Sequence, residues 1–96
     1  MKSIMLKMKG ESEGLWYYSV MSRGRPVVGM LVTVWATDDV SELSTDFDHE
    51  KGFLGRVTVN GVEAFRTVST LPFISVVGTL RKEADYLFRK INERKD

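Results

Sequence analysis

The sequence predicts an α+β fold: an antiparallel sheet of about five strands, built from two hairpins plus an N-terminal strand, with a C-terminal amphipathic helix packed on one face. Three observations predict it. Residues 53–68 place apolar side chains at every second position around a turn, and residues 15–36 are rich in aromatic and β-branched residues, as strands are. After residue 71 the apolar positions recur at three- and four-residue steps, the period of a helix.

The dipeptide Asn60-Gly61 predicts a two-residue type I′ turn, because both central residues of that turn need positive φ. Val59 is then expected to face Val62, which gives the hairpin an apolar side and a wetter side. The predicted apolar side also pairs Val57 with Ala64 and Phe53 with Val68, and the wetter side carries Arg56, Thr58, Glu63 and Thr67.

Residues 3–9 predict an N-terminal edge strand, which ends at a turn over residues 10–14. The alternation sets Ile4, Leu6 and Met8 on one side and Met5, Lys7 and Lys9 on the other. Lysines on a strand discourage another chain from pairing with its open edge. This pattern therefore favours an edge position in the sheet.

A second hairpin is predicted from residues 15–21 and 27–36, joined by a turn over residues 22–26. Its strands are apolar on both sides, with Trp16, Tyr18 and Val20 opposite Leu15, Tyr17 and Met21, and with Val28, Met30 and Val32 opposite Leu31 and Trp35. One helix covers only one face of a sheet. The second face is then covered by a short helix expected over residues 39–47, by closure of the sheet, or by another chain.

The C-terminal helix is predicted from Leu80 onward, and two interpretations exist for its start. Pro72 suits a first helical turn. A short strand over residues 73–77, with Thr79 as the helix cap, is the competing interpretation, because β-branched residues and Gly78 are weak helix formers.

The composition limits the number of domains, the partners and the cellular location that can be expected of this chain. The 96 residues suffice for one domain with one modest core, which we expect to span residues 1–96. Fourteen Lys and Arg against thirteen Asp and Glu leave a net charge of +1, too little to hold a polyanion by global charge. The chain has no cysteine, signal-peptide pattern or membrane-length apolar run, so a cytoplasmic protein without membrane contact is expected.

The only histidine, His49, lies among acidic residues at positions 46–50. A calcium loop would need glycine and glutamate where Lys51 and Val57 stand, and zinc would need ligands that a chain with one histidine and no cysteine lacks. No glycine-rich phosphate loop is present either. We expect no metal, no cofactor and no enzymatic activity.

The expected function is protein interaction, either self-association or binding and modulation of a larger partner, because exposed apolar patches usually mark such surfaces. The central hairpin supplies the candidate residues, namely Trp16, Tyr17, Tyr18, Met30 and Trp35.

The alternative is single-stranded nucleic-acid binding on a sheet face, where aromatic rings stack on bases and cations border them. Its candidate residues are Arg23 and Arg25 at the hairpin tip and Arg56 and Arg66 on the other hairpin.

Overall fold

The computed structural model describes residues 4–37 and 48–93 and shows the predicted α+β architecture. Six antiparallel strands form one sheet that a C-terminal helix covers on one face. The elements are β1 (Met5–Ser12), β2 (Leu15–Ser22), β3 (Arg25–Ala36), β4 (Lys51–Val59), β5 (Val62–Arg66), β6 (Leu71–Pro72) and α1 (Phe73–Glu93). The short helix predicted over residues 39–47 lies outside the described residues.

Strands β1 to β5 are neighbours in chain order, and β6 pairs with β4. Since β3 occupies one edge of β4 along its length, β5 and β6 share the other edge. Gly55 lies between their two pairing regions, where Thr67 replaces a strand partner. The Gly55 amide donates to Thr67 Oγ1 at 2.9 Å, and the Thr67 amide donates to the Gly55 carbonyl at 3.0 Å. The middle of β4 is thereby hydrogen-bonded.

The Asn60-Gly61 turn is confirmed, with φ of 52° and 81°, and Val59 pairs with Val62 as predicted. The predicted pairing of Val57 with Ala64 is wrong. A bulge in the β4–β5 pairing sets Phe65 opposite Val57 instead, so a larger apolar side chain packs against the core.

The predicted pairing of Phe53 with Val68 is also wrong. Val68 is 98% exposed, and Phe53 pairs with Leu71 of β6. The chain leaves β5 after Arg66 and returns to the same edge of β4 at Leu71, five positions later. Leu71 therefore takes the place that a longer β5 would have filled.

Strand β1 is an edge strand, as predicted, but it continues through the residues expected to form a turn. It pairs with β2 as far as Ser12 opposite Leu15, with a bulge between Met8 and Gly10. The chain reverses at Glu13-Gly14, where Gly14 has φ of 68°. The bulge inserts an extra residue and lets the strand run past Gly10.

Helix α1 begins at Phe73, directly after Pro72, so the longer of the two predicted helices is correct. Val76, Leu80 and Ala84 follow at four-residue steps and are 0% exposed. This apolar stripe faces β3 and β4. Packing of the stripe outweighs the weak helix propensity of the β-branched residues in the first turns.

The core lies between α1 and the face of the sheet that α1 covers. Its buried residues are Ile4, Tyr18, Val20, Met30, Val32, Val34, Phe53, Val57, Val76, Leu80 and Ala84. Strands β1 and β5 do not pair with each other within the described ranges, so the sheet is open. Its other face, which we call the helix-free face, carries the candidate site.

Candidate interaction face

The helix-free face consists of three rows of side chains that cross the sheet. Residues directly opposite each other on paired strands share a face, so the strand registers define each row. The rows are Leu15, Trp35 and Leu54; Tyr17, Thr33, Arg56 and Arg66; and Ser19, Leu31, Thr58 and Glu63. Within the described residues α1 is the only helix, and it lies on the opposite face.

Trp35 is the centre of a cationic and aromatic cluster on this face. The guanidinium carbon of Arg56 lies 5.8 Å from the centre of the Trp35 ring, and that of Arg66 lies 5.5 Å from it. Both distances suit cation–π contacts. Glu63 forms an ion pair with Arg66, with 2.8 Å between Glu63 Oε1 and Arg66 Nε. Its other carboxylate oxygen, Oε2, lies 3.9 Å from Arg56 Nη1. One carboxylate therefore partly neutralises the two guanidiniums.

An open groove of about 450 Å³ runs beside this cluster, between Tyr17 and Trp35. Thr33 forms part of its floor and is only 4% exposed, although it lies on the face opposite α1. Larger neighbours shield it, since Tyr17 and Arg56 are its direct partners on the adjacent strands. The groove is lined by Leu15, Tyr17, Thr33, Trp35, Arg56 and Arg66.

The five candidate residues for protein interaction divide between the two faces of the sheet. Tyr17 and Trp35 lie on the helix-free face and are half-buried. Tyr18 and Met30 lie on the face that α1 covers and are 8% and 6% exposed. Trp16 is on the same covered face, where it packs edge-on against aromatic rings of β4 and α1 with centroid distances of 5.8 Å and 5.1 Å.

The four candidate arginines divide between two regions as well. Arg56 and Arg66 are directly opposite each other on β4 and β5. Arg23 and Arg25 lie at the β2–β3 turn, and Arg23 is six residues along the chain from Tyr17, which shares a row with Arg56 and Arg66. At about 3.3 Å per residue, that separation is roughly 20 Å. The four residues therefore do not form one site.

The β2–β3 turn has an unusual conformation at Arg23. Arg23 and Gly24 have φ of 54° and 76°, so both central residues adopt the left-handed region. This region costs an ordinary L-residue about 1 kcal/mol, whereas Asn and Gly enter it readily. The other two-residue turn uses Asn60 at the equivalent place. The sequence predicts a turn over residues 22–26, but it does not predict the left-handed conformation of Arg23.

Both open edges of the sheet resist pairing with another chain. Strand β1 carries Lys7 and Lys9 and has a bulge. Strand β5 is five residues long, carries Glu63 and Arg66, and has a bulge in its pairing with β4. Charges, bulges and short length are the features that block edge-to-edge association. If two chains associate through their sheets, contact between sheet faces is therefore favoured over pairing of sheet edges.

Tyr18 has a perturbed hydroxyl on the covered face. Burial raises the pKa of Tyr18 above its ordinary value of 10.0, and the negative charges of Glu11 and Asp48 raise it further. The folded state thus holds the phenolic proton more tightly than the unfolded state does.

We expect this difference to lower the free energy of unfolding as pH rises above 10. The sign follows because the unfolded chain releases the Tyr18 proton at a lower pH than the folded chain. Urea titrations from pH 9 upward, on the wild type and on Tyr18→Phe, measure it. The variant should lose less stability over this range than the wild type. Identical pH dependence in both would contradict the raised pKa.

No metal centre is found in the described residues. Asp48 and His49 lie exposed in a turn, and no group of three or more His, Cys, Asp or Glu side chains converges within residues 4–37 and 48–93. Across the same residues, no helix has the length and apolar character needed to cross a membrane.

Comparisons with protein-family models, curated proteins and solved structures find no match to this chain.

Proposed function

We propose that this chain is a non-enzymatic interaction module that self-associates by packing the helix-free faces of two copies against each other. The observation that carries the proposal is the position of Tyr17 and Trp35, two large aromatic side chains on a sheet face opposite the only described helix. Trp, Tyr and Arg are the residue types most enriched at the energetic centres of protein interfaces. Arg56 and Arg66 place that combination around one groove.

The helix-free face is large enough for contact with a second copy of this chain. Its three rows span about five residues on each of four strands, which lie about 4.8 Å apart, so its flat footprint is roughly 20 Å by 17 Å. Side chains make the accessible surface larger than this footprint, and a contact of this size belongs to the small, weakly associating class of protein interfaces. Because the sheet edges are blocked, a sandwich of two faces is the favoured arrangement.

The charges on the face are compatible with this symmetric contact. A two-fold axis parallel to β3 sets Tyr17 of one protomer over Arg56 of its partner, since β2 and β4 flank β3 on opposite sides. This arrangement places cations over aromatic rings and keeps the arginines of the two copies apart. Glu63 remains paired with Arg66 within each copy.

Size-exclusion chromatography with light scattering tests the proposal. Wild-type protein is expected to be a dimer at about 50 µM, and Tyr17→Glu is expected to be a monomer, because the substitution puts a carboxylate into the centre of the contact. Tyr86→Glu is the matched control, since Tyr86 is 55% exposed on α1 and lies on the other side of the sheet. A wild-type monomer, or a dimer unaffected by Tyr17→Glu, would refute the proposal.

Single-stranded nucleic-acid binding on the same face is the second candidate function. It is supported by Tyr17 and Trp35, which are diagonal neighbours on adjacent strands beside Arg56 and Arg66. Such a surface would stack bases and bind phosphates. Titration of Trp fluorescence with a single-stranded oligonucleotide, using wild type and Arg56→Gln, tests this candidate. Affinity weaker than about 10⁻⁴ M would exclude it.

A further inference from the structure

The tip of the β2–β3 hairpin lies beyond the part of β3 that pairs with β4. Met21 pairs with Pro26 and Ser19 pairs with Leu31, so two steps along β2 match five steps along β3. The additional residues of β3 form a bulge around Gly29, which has φ of 87° and accepts a hydrogen bond from the Asn60 amide at 2.7 Å. A bulge bends the strand that contains it.

Neighbouring strands end before this tip. The pairing of β3 with β4 stops at Met30, and the pairing of β1 with β2 stops at Met21. Residues 22–25 therefore extend past the described neighbouring strands, and Pro26 lies level with Met21. Together residues 22–26 form a short two-stranded arm, closed by the turn at Arg23-Gly24.

The arm is exclusively cationic. From residue 14 to residue 37 the only charged side chains are those of Arg23 and Arg25. Both residues are exposed, and neither forms an ion pair within the described part of the chain. Arg56, Arg66 and Arg89, in contrast, each lie near a carboxylate. A cationic arm with no ion pair to the described residues is a surface that fits a polyanion.

The backbone at Arg23 supports a functional role for its side chain. Arginine keeps a left-handed φ of 54° where asparagine would form the same turn with less strain, as Asn60 does in the other hairpin. Backbone strain that persists at an exposed position is a reason to look for function there. The strain at Arg23 therefore makes its side chain a candidate for a functional contact.

We propose that residues 22–26 form a DNA-binding arm whose two arginines enter the minor groove of A·T-rich duplex DNA. The narrow minor groove of A·T tracts has an enhanced negative potential that attracts inserted arginines. It is about 6 Å wide, so side chains enter it while the ribbon itself stays outside. Pro26 and the 94%-exposed Val28 supply apolar surface beside the arginines, as is common in minor-groove binders.

The minor groove fits this arm better than the major groove does. A ribbon that reads the major groove needs base-recognising side chains along its face. Here the residues next to the tip are Met21, Val27 and Val28, which offer no amide or carboxylate. The hydrogen-bond donors are concentrated at the tip itself.

The arm is also distinct from the helix-free face and from the single-strand site considered there, so this inference does not depend on the proposed self-association.

Fluorescence anisotropy on the full chain tests the arm, with labelled duplexes of equal length that are rich in either A·T or G·C, and with a single strand of the A·T sequence. We expect the A·T duplex to bind at least about fivefold more tightly than the G·C duplex. Affinity should fall with salt with a logarithmic slope near −2, as for two phosphate-neutralising cations. A minor-groove ligand such as netropsin should displace the protein.

Arg23→Asn is the decisive variant, because Asn-Gly suits this turn while removing the charge. Its affinity for the A·T duplex should fall at least about tenfold, and its melting temperature should match or exceed that of the wild type. Arg81→Gln, at an exposed position on α1, removes one charge elsewhere and should change affinity less than about twofold.

Four outcomes would overturn the inference. They are no binding to the A·T duplex below about 10⁻⁴ M, equal affinity for the G·C duplex, preference for the single strand, and equal losses in Arg23→Asn and Arg81→Gln. The third would favour the helix-free face as the nucleic-acid site instead. The fourth would show that the effect is one of net charge and not of the arm.

Discussion

Replacing Leu80 with alanine is expected to lower the free energy of unfolding by about 3 to 5 kcal/mol. Leu80 is 0% exposed and packs over Gly55, which has no side chain to fill the space that truncation leaves. The cavity therefore adds to the lost transfer free energy. Urea denaturation followed by far-UV circular dichroism measures the difference.

Ile74→Ala is the matched control on the same helix. Ile74 is 60% exposed, so its truncation is expected to cost less than about 1 kcal/mol. The contrast between a buried and an exposed aliphatic residue tests whether α1 is packed on this sheet through the Leu80 stripe. Equal effects at the two positions would show that the helix is not held by that stripe.

The position of α1 illustrates what sequence periodicity determines. The stripe that contains Val76, Leu80 and Ala84 was evident from its four-residue steps, and its burial is confirmed. The start of the helix was not determined, because propensity at residues 73–77 argues for a strand. Pairing of Leu71 and Pro72 with β4 resolves it, and that contact is made across about twenty residues of sequence.

The Asn60-Gly61 turn predicts the Val59–Val62 pair correctly, but the pairings predicted for Val57 and Phe53 are wrong. The dipeptide fixes the turn conformation, whereas the bulge two pairs further on follows from which apolar residue can reach the core. Phe65 reaches the core through the bulge, and Ala64 is left exposed. Local sequence carries no signal for that exchange.

The candidate site was predictable only in part. Three consecutive aromatic residues on a strand must alternate between faces, so Tyr17 had to lie opposite Trp16 and Tyr18. Which face the helix covers was not determined by β2, because both sides are apolar. Tyr17, Arg56 and Arg66 share one row because of how β2, β3, β4 and β5 pair. These pairings join residues that are far apart in the sequence, so only the structure shows them.

Replacing Gly55 with valine is expected to destabilise the fold by about 3 kcal/mol, and Gly55→Ala by about 1 to 2 kcal/mol. A Cβ atom at this position would contact Leu80 Cδ1, would lie 2.8 Å from Val76 Cγ1, and would lie 3.1 Å from the Thr33 carbonyl oxygen. The side chains of α1 have some freedom to move, but the backbone of β3 does not. The helix must therefore shift away from the sheet.

Gly78→Ala tests the same chemical change where the structure predicts the opposite sign. Gly78 lies inside α1, and a Cβ atom there would have no neighbour within 4 Å. Alanine should then raise the free energy of unfolding by about 0.5 to 1 kcal/mol, because it restricts the unfolded chain and favours the helix. Thermal melts of Gly55→Ala and Gly78→Ala should shift in opposite directions from the wild type. Shifts in the same direction would mean that α1 does not approach β4 at Gly55 as closely as described.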